Sequence, residues 1–258
     1  MGENSILEYI KNVLENMPAD WLNLTTHRLD IYDEGLAKVQ FLDQFQELFI
    51  ANNSESSALN ELPTAYDYIR LGHPLSSILE WGIANLNNLR PEGVISFSSQ
   101  TAPILAVLRK NLLDNKNTRI LYEGELPSMF DSEILQRVYG YKFELQKVDN
   151  LSAISSFNGP TIFVSERNEI SITILNPSVD FFVNTYPNLG SVILVNGESN
   201  SGYISEIQHV RRRETIAMTP ANCLLALKSL IGQTAPDLQH NNLKANKALV
   251  LNTIATIN

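Results

Sequence analysis

The chain predicts an α/β fold: a mostly parallel sheet with flanking helices, preceded by an N-terminal helical arm. Three observations carry that expectation. Five short runs rich in β-branched residues, Val94 to Phe97, Arg119 to Tyr122, Thr161 to Val164, Ile170 to Leu175 and Ser191 to Val195, have the length and composition of buried strands. Amphipathic stretches, notably Ser76 to Leu89 and Ala102 to Leu113, lie between strand-like runs, and strand, helix, strand repeated in this way implies right-handed crossovers within one sheet. Hydrophobic residues make up 44% of the 258, enough to bury a sizeable core.

The elements follow in order. Ile6, Ile10, Val13, Leu14 and Met17 recur at helical spacing, Asn4 or Ser5 can cap the start, and Pro18 ends the segment. A second helical stripe holds Leu36, Val39, Phe41, Leu42, Phe45, Leu48 and Phe49 and stops at the polar cluster 52–57. Residues 1–62 therefore form an arm suited to packing or dimerisation. Residues 63–258 form the α/β domain, whose functional loops are expected at the carboxyl ends of the strands. Lys142 and Lys147 flank a further strand, and helical patterns at 220–231 and 243–257 close the chain.

Composition excludes several function classes. A formal net charge of -9 opposes nucleic-acid binding, which needs clustered cations on one face. The run Arg211-Arg212-Arg213 followed by Glu214 reads as a solvated helix end or an ion-pair site. A single cysteine, Cys223, rules out an intrachain disulfide and sits among leucines as a small buried hydrophobe. The 4 histidines, His27, His73, His209 and His240, show no ligand spacing, so no metal is expected. No leader pattern and no run of 18 apolar residues is present, which makes the cytoplasm the default address.

Four segments in order resemble the Cys/Met-metabolism, or trans-sulfuration, family of pyridoxal-phosphate enzymes. Tyr66-Asp67-Tyr68-Ile69-Arg70-Leu71-Gly72-His73-Pro74 resembles the family's Y-x-Y-S-R-x-G-N-P-T, and Leu79-Glu80-Trp81-Gly82-Ile83-Ala84-Asn85-Leu86 its following helix. The resemblance implies phosphate-binding roles for Tyr68 and Arg70, reaching into the neighbouring subunit; a guanidinium fork suits phosphate oxygens. Phe97-Ser98-Ser99-Gln100-Thr101-Ala102 resembles F-S-S-G-M-A-A, a turn that aims N–H groups at an anion through Ser98 and Ser99. Tyr122, ahead of Glu123-Gly124, resembles the tyrosine that stacks on the pyridine ring, and it reads equally as half-buried packing. Leu189 to Asn200 resembles L-G-A-D-(I/V)-V-V-H-S-A-T-K, with Ser199 beside the cofactor and Asn200 in the place of the Schiff-base lysine.

The departures all point one way. Counting back from Asn200 without a gap puts Leu175 where V-V-D-N-T-F has the aspartate that keeps the pyridine nitrogen protonated. Gln100 replaces the glycine of the anion turn, and Pro103 removes a donor from the next helix. No room exists for a helix between Glu166 and Ile170, and the family's C-terminal domain is missing. The resemblance thus implies a non-catalytic relative acting as an oligomeric or partner-completing subunit, with no catalytic residue and no covalently bound cofactor. Its expected partners are further copies of itself or an intact pyridoxal-phosphate enzyme. Two other readings stand beside it: an active pyridoxal-phosphate lyase or transferase on a sulfur-containing or γ-substituted amino acid, and a regulatory module holding a phosphate-bearing ligand through Ser98, Ser99 and Ser199.

Overall fold

The computed structural model describes residues 2–23, 34–63, 65, 70–152 and 154–233. Its six strands are β1 (Val94–Phe97), β2 (Thr118–Glu123), β3 (Phe143–Lys147), β4 (Thr161–Glu166), β5 (Phe181–Tyr186) and β6 (Gly190–Val195). They form one sheet in the order β1-β6-β5-β4-β2-β3. β6 is antiparallel to both neighbours, so the other five strands point the same way and the sheet is mostly parallel. One edge of the sheet therefore gathers the carboxyl ends of β1 to β5, and the other gathers their amino ends together with the end of β6.

Besides the short helices α3 (Ser56–Asn60) and α6 (Ser132–Arg137), two helical layers cover the sheet. On one face α5 (Ala102–Leu113) and α7 (Gly202–Glu214) enclose Phe97, Ile120, Val164 and Val183. The other face carries α4 (Pro74–Leu86) and α8 (Pro220–Leu230) over Leu121, Phe163 and Phe182. α4 is buried all round because the arm lies on it: α1 (Glu3–Asn16) contributes Ile6, Tyr9, Ile10 and Val13. α2 (Glu34–Ile50) adds Phe41, Phe45 and Phe49. Trp81 of α4 is the hinge of this aromatic cluster, meeting Phe45 and Phe49 edge-on at 5.1 Å each and donating its indole N–H to Gln46 at 2.8 Å. The arm is thus part of the main core within this chain.

One strand is not where the β-branched composition puts it. Ile170 to Leu175 is irregular and belongs to none of the described strands; its amides at Ile170 and Thr173 bond to the side chains of Ser229 and Asn87, and Ile174 is left 88% exposed. The ladder is instead completed by Phe181–Tyr186, buried at every position. Alternating hydrophobicity marks a half-buried strand, whereas a strand between two helical layers favours an unbroken apolar run. The helical pattern at 243–257 lies outside the described residues.

The arginine run splits in two. Arg212 and Arg213 are exposed, whereas Arg211 is fully buried and pairs with Glu80 of α4 at 2.6 Å. The pair closes the outer edge of β1: Glu80 accepts from the Ser96 amide at 2.9 Å, and Arg211 donates to the Ser96 carbonyl at 3.1 Å. The two charges thus satisfy the backbone groups that a further strand would otherwise pair. Of the two readings of the run, the ion-pair site holds at Arg211 and the exposed helix end at Arg212 and Arg213.

Candidate functional site

In a parallel sheet, ligands gather outside the carboxyl ends of the strands, where the loops converge. A cleft of about 360 Å³ opens at that edge between the turn at 98–101, the turn at 188–190, Met129 and Asn222. β1 ends at Phe97 and α5 starts at Ala102, so the first turn is a strand-to-helix corner. The second turn joins β5 to β6; Asn188 adopts a left-handed conformation with φ 68°. Gly190 must be glycine, because its φ is +124° and a Cβ would sit 2.0 Å from the Phe97 carbonyl oxygen.

The corner at 98–101 is held from every side by the chain itself. Ser98 donates its amide to the Ile216 carbonyl at 3.1 Å and its hydroxyl to the same oxygen at 3.2 Å. The Ser99 hydroxyl oxygen accepts from the amides of Thr101 and Ala102 at 3.3 and 3.1 Å, and the Ser99 carbonyl accepts from the Ser191 hydroxyl at 2.6 Å. Gln100 reaches across the cleft to the Tyr186 carbonyl at 3.1 Å. Asn222, at the start of α8, donates to the carbonyls of Asn188 and Leu189 at 3.2 and 3.1 Å.

Of the residues the sequence singles out, Ser98 and Ser99 line this cleft. Arg70 lies close by along the backbone: its carbonyl accepts from Ala217, next to the residue that holds Ser98, and its side chain is exposed. Tyr68 lies outside the described residues. Tyr122, next to last in β2, lies on the same edge, half-buried, with the Lys147 ammonium 6.0 Å from its ring centroid. Lys147 is itself tied to Glu125 at 2.9 Å, and that hydrogen bond holds its ammonium above the usual lysine range.

Ser199 and Asn200 are on the opposite edge. β6 runs against its neighbours, so the residues after it emerge beside the amino ends of β4 and β5. There the Asn200 amide donates to Asp180 at 3.0 Å and to the Asn196 carbonyl at 2.6 Å. Asp180 in turn accepts from the Thr161 amide at 2.7 Å. Leu175 lines a separate cleft of about 310 Å³ on this edge, with Asn196, Gly197 and Glu198. Leu175 and Asn200 thus share this edge, away from Ser98 and Ser99. Sequence reasoning missed this because a buried strand reads the same in either direction.

Sequence reading also passed over His73, which organises the approach to the corner. His73 is fully buried as the N-cap of α4; its Nδ1 accepts from the Ser76 amide at 3.2 Å, and its Nε2–H donates to the Met218 carbonyl at 2.7 Å. Burial pushes its pKa down to about 4, keeping the ring neutral. Cys223 donates to the same Met218 carbonyl at 3.4 Å, and burial pushes its thiol up, away from nucleophilic chemistry. Among the described residues no group of three or more His, Cys, Asp or Glu could hold a metal ion, and no helix is long and apolar enough to cross a membrane.

Pyridoxal phosphate, which the resemblance implies, needs an amine for its imine and donors or cations for its phosphate. Among the described residues lining the carboxyl-edge cleft there is no lysine, arginine or histidine. The amides of Thr101 and Ala102 at the start of α5 are already bonded, and Pro103 has none to give. The residues present do not fit the group.

No protein-family model matches the sequence, and no curated protein matches it. Solved structures do match in three dimensions. Cystathionine gamma-lyase from yeast aligns over 86% of this chain and 62% of its own, at 13% identity and a TM-score of 0.50. MetB from Corynebacterium glutamicum aligns over 67% of this chain and 54% of its own, at 15% identity and a TM-score of 0.45. A putative O-acetylhomoserine (thiol)-lyase from Campylobacter jejuni, solved with N'-pyridoxyl-lysine-5'-monophosphate at position 205, aligns over 86% and 70%, at 13% and 0.43. The chain spans little more than half the length of the first two of these, and what it shares with the yeast lyase is the fold: a mostly parallel α/β sheet between helical layers.

Proposed function

We propose that this chain is a non-catalytic relative of the trans-sulfuration pyridoxal-phosphate enzymes, acting as a subunit of an oligomer with itself or with an intact enzyme. The observation that carries the reading is the carboxyl-edge cleft, which presents hydroxyls, amides and apolar groups but no amine among its described residues. Asn200 no longer bears the weight, because it stands on the other edge. On β5, which does end beside the cleft, Val179-Asp180-Phe181-Phe182-Val183 shares the aspartate (Asp180) and the last valine (Val183) of the A-D-(I/V)-V-V run of the lysine motif, and in that register Asn188 stands in the lysine's place. An amide cannot form an imine or shuttle a proton. Lys147, on the same edge, is held protonated by Glu125 and is a poor substitute.

Two experiments test the reading. The purified chain is mixed with pyridoxal phosphate and reduced with borohydride; no imine band and no fixed label is the expected result, and a stoichiometric label on one lysine would make the chain an enzyme. Exposed Arg70, which the resemblance places in a neighbouring subunit's phosphate site, supplies the second. Arg70→Ala should lower the activity or the assembly of a co-purifying pyridoxal-phosphate enzyme, and normal values of both would remove the partner-completing role.

A further inference from the structure

We infer that the start of α5 is closed to any phosphate-bearing ligand because the chain supplies the ligand oxygen itself, through Ser99. The inference concerns the cleft on which the proposed function rests, but it is about a different chemistry: phosphate capture instead of imine formation. An anion at a helix start is held by the first few amides and by nearby cations. Here the Ser99 hydroxyl oxygen stands in front of two of those amides, at 3.3 Å from Thr101 N and 3.1 Å from Ala102 N, and the third position is Pro103. Moving Ser99 aside would break more than these two bonds. Its carbonyl is pinned by Ser191, the preceding residue is bound to Ile216, and the following one is bound through its side chain to Tyr186. Gly190 lies directly beneath the corner, where a Cβ would stand 3.1 Å from the Ser98 Cα. No basic side chain among the described lining residues would repay the disruption. The same facts argue against a regulatory module that holds a phosphate ligand through Ser98, Ser99 and Ser199, since Ser199 follows β6 to the opposite edge.

Amide hydrogen exchange of the full chain tests this without any activity. Exchange at Thr101 and Ala102 is measured alone, with millimolar inorganic phosphate and with millimolar pyridoxal phosphate. The three rates should agree within about twofold, and Ser99→Ala should speed exchange at both amides about tenfold whether or not phosphate is present. Slowing of either amide by phosphate or pyridoxal phosphate in the wild-type chain would overturn the inference, as would unchanged exchange in folded Ser99→Ala. The wild-type arm decides the matter even where the variant does not fold. An imine band with unmoved amides would defeat the proposed function and leave this inference standing; slowed amides without an imine would do the reverse.

Discussion

Stability should fall as pH drops from about 6.5 to about 4 because of His73 alone. In the folded chain the neutral ring donates to Met218 and accepts from Ser76, and proton uptake at Nδ1 turns that acceptor into a second donor facing an N–H. Burial holds the folded pKa down to about 4 from the 6.5 of an ordinary histidine. The unfolded chain therefore binds a proton across this window while the folded chain does not, so protonation favours unfolding as pH falls. With about 1.4 kcal/mol per pH unit of pKa difference, the contribution reaches about 3 kcal/mol below pH 4, and about 2 kcal/mol of it is lost between pH 7.5 and 5. The assay is urea unfolding at several pH values for the wild-type chain and for His73→Asn. Asparagine keeps a good cap for α4, cannot titrate, and loses the Met218 bond, so the variant should be about 1 kcal/mol less stable at pH 7.5. Its deficit should shrink, vanish near about pH 6 and be reversed by about pH 5. Parallel stability profiles for the two proteins would refute the assignment of a buried, neutral His73.

Arg211→Met should cost about 3 to 5 kcal/mol in urea unfolding, because it leaves Glu80 charged and buried, and adding Glu80→Gln should recover much of that loss. A cost below about 1 kcal/mol would show that the pair is not dry. Gly190→Ala should lower stability by more than about 2 kcal/mol or prevent soluble expression, since the added carbon meets the Phe97 carbonyl and the +124° φ disfavours any side chain; wild-type melting would refute that packing. Asn200→Ala should cost about 1 kcal/mol through its bonds to Asp180 and Asn196 while leaving partner association unchanged, and a loss of association at full stability would return Asn200 to the functional surface.

Where local chemistry decided the structure, the sequence was legible. β1 spans the predicted Val94 to Phe97, α5 the predicted 102–113, and α1 follows the spacing of Ile6, Ile10 and Val13. Long-range choices were not written locally. Ile170 to Leu175 has the better alternation, yet Phe181–Tyr186 takes the place in the sheet because two helical layers must cover it. Arg211 looked like its two neighbours in the run, and only the partner Glu80, 131 residues away, separates them. Of the candidate site, Ser98 and Ser99 were legible because a strand-to-helix corner has a local signature. Asn188 and Asn222 were not, since they meet only when β5 turns back into β6 and α8 packs beside that turn.

Strand direction is what separates the two asparagines. A hydrophobic run gives no sign of which end will emerge among the other strands' carboxyl ends, so a motif laid on β6 and one laid on β5 fit the sequence with similar ease. Of these two strands only β5 runs in the direction of β1 to β4, and only its end opens into the cleft beside Ser98 and Ser99. A reading that depended on Asn200 would therefore fall with the register. The proposal of a non-catalytic subunit stands on a property that survives either register: the carboxyl-edge cleft has its helix-start amides spent on Ser99, its bridging amide spent on Tyr186, and uncharged side chains along its described walls. On the proposed reading, several of these groups would have to be replaced together before the cleft could hold an imine, so a single lysine at either position is expected to give no imine band with pyridoxal phosphate.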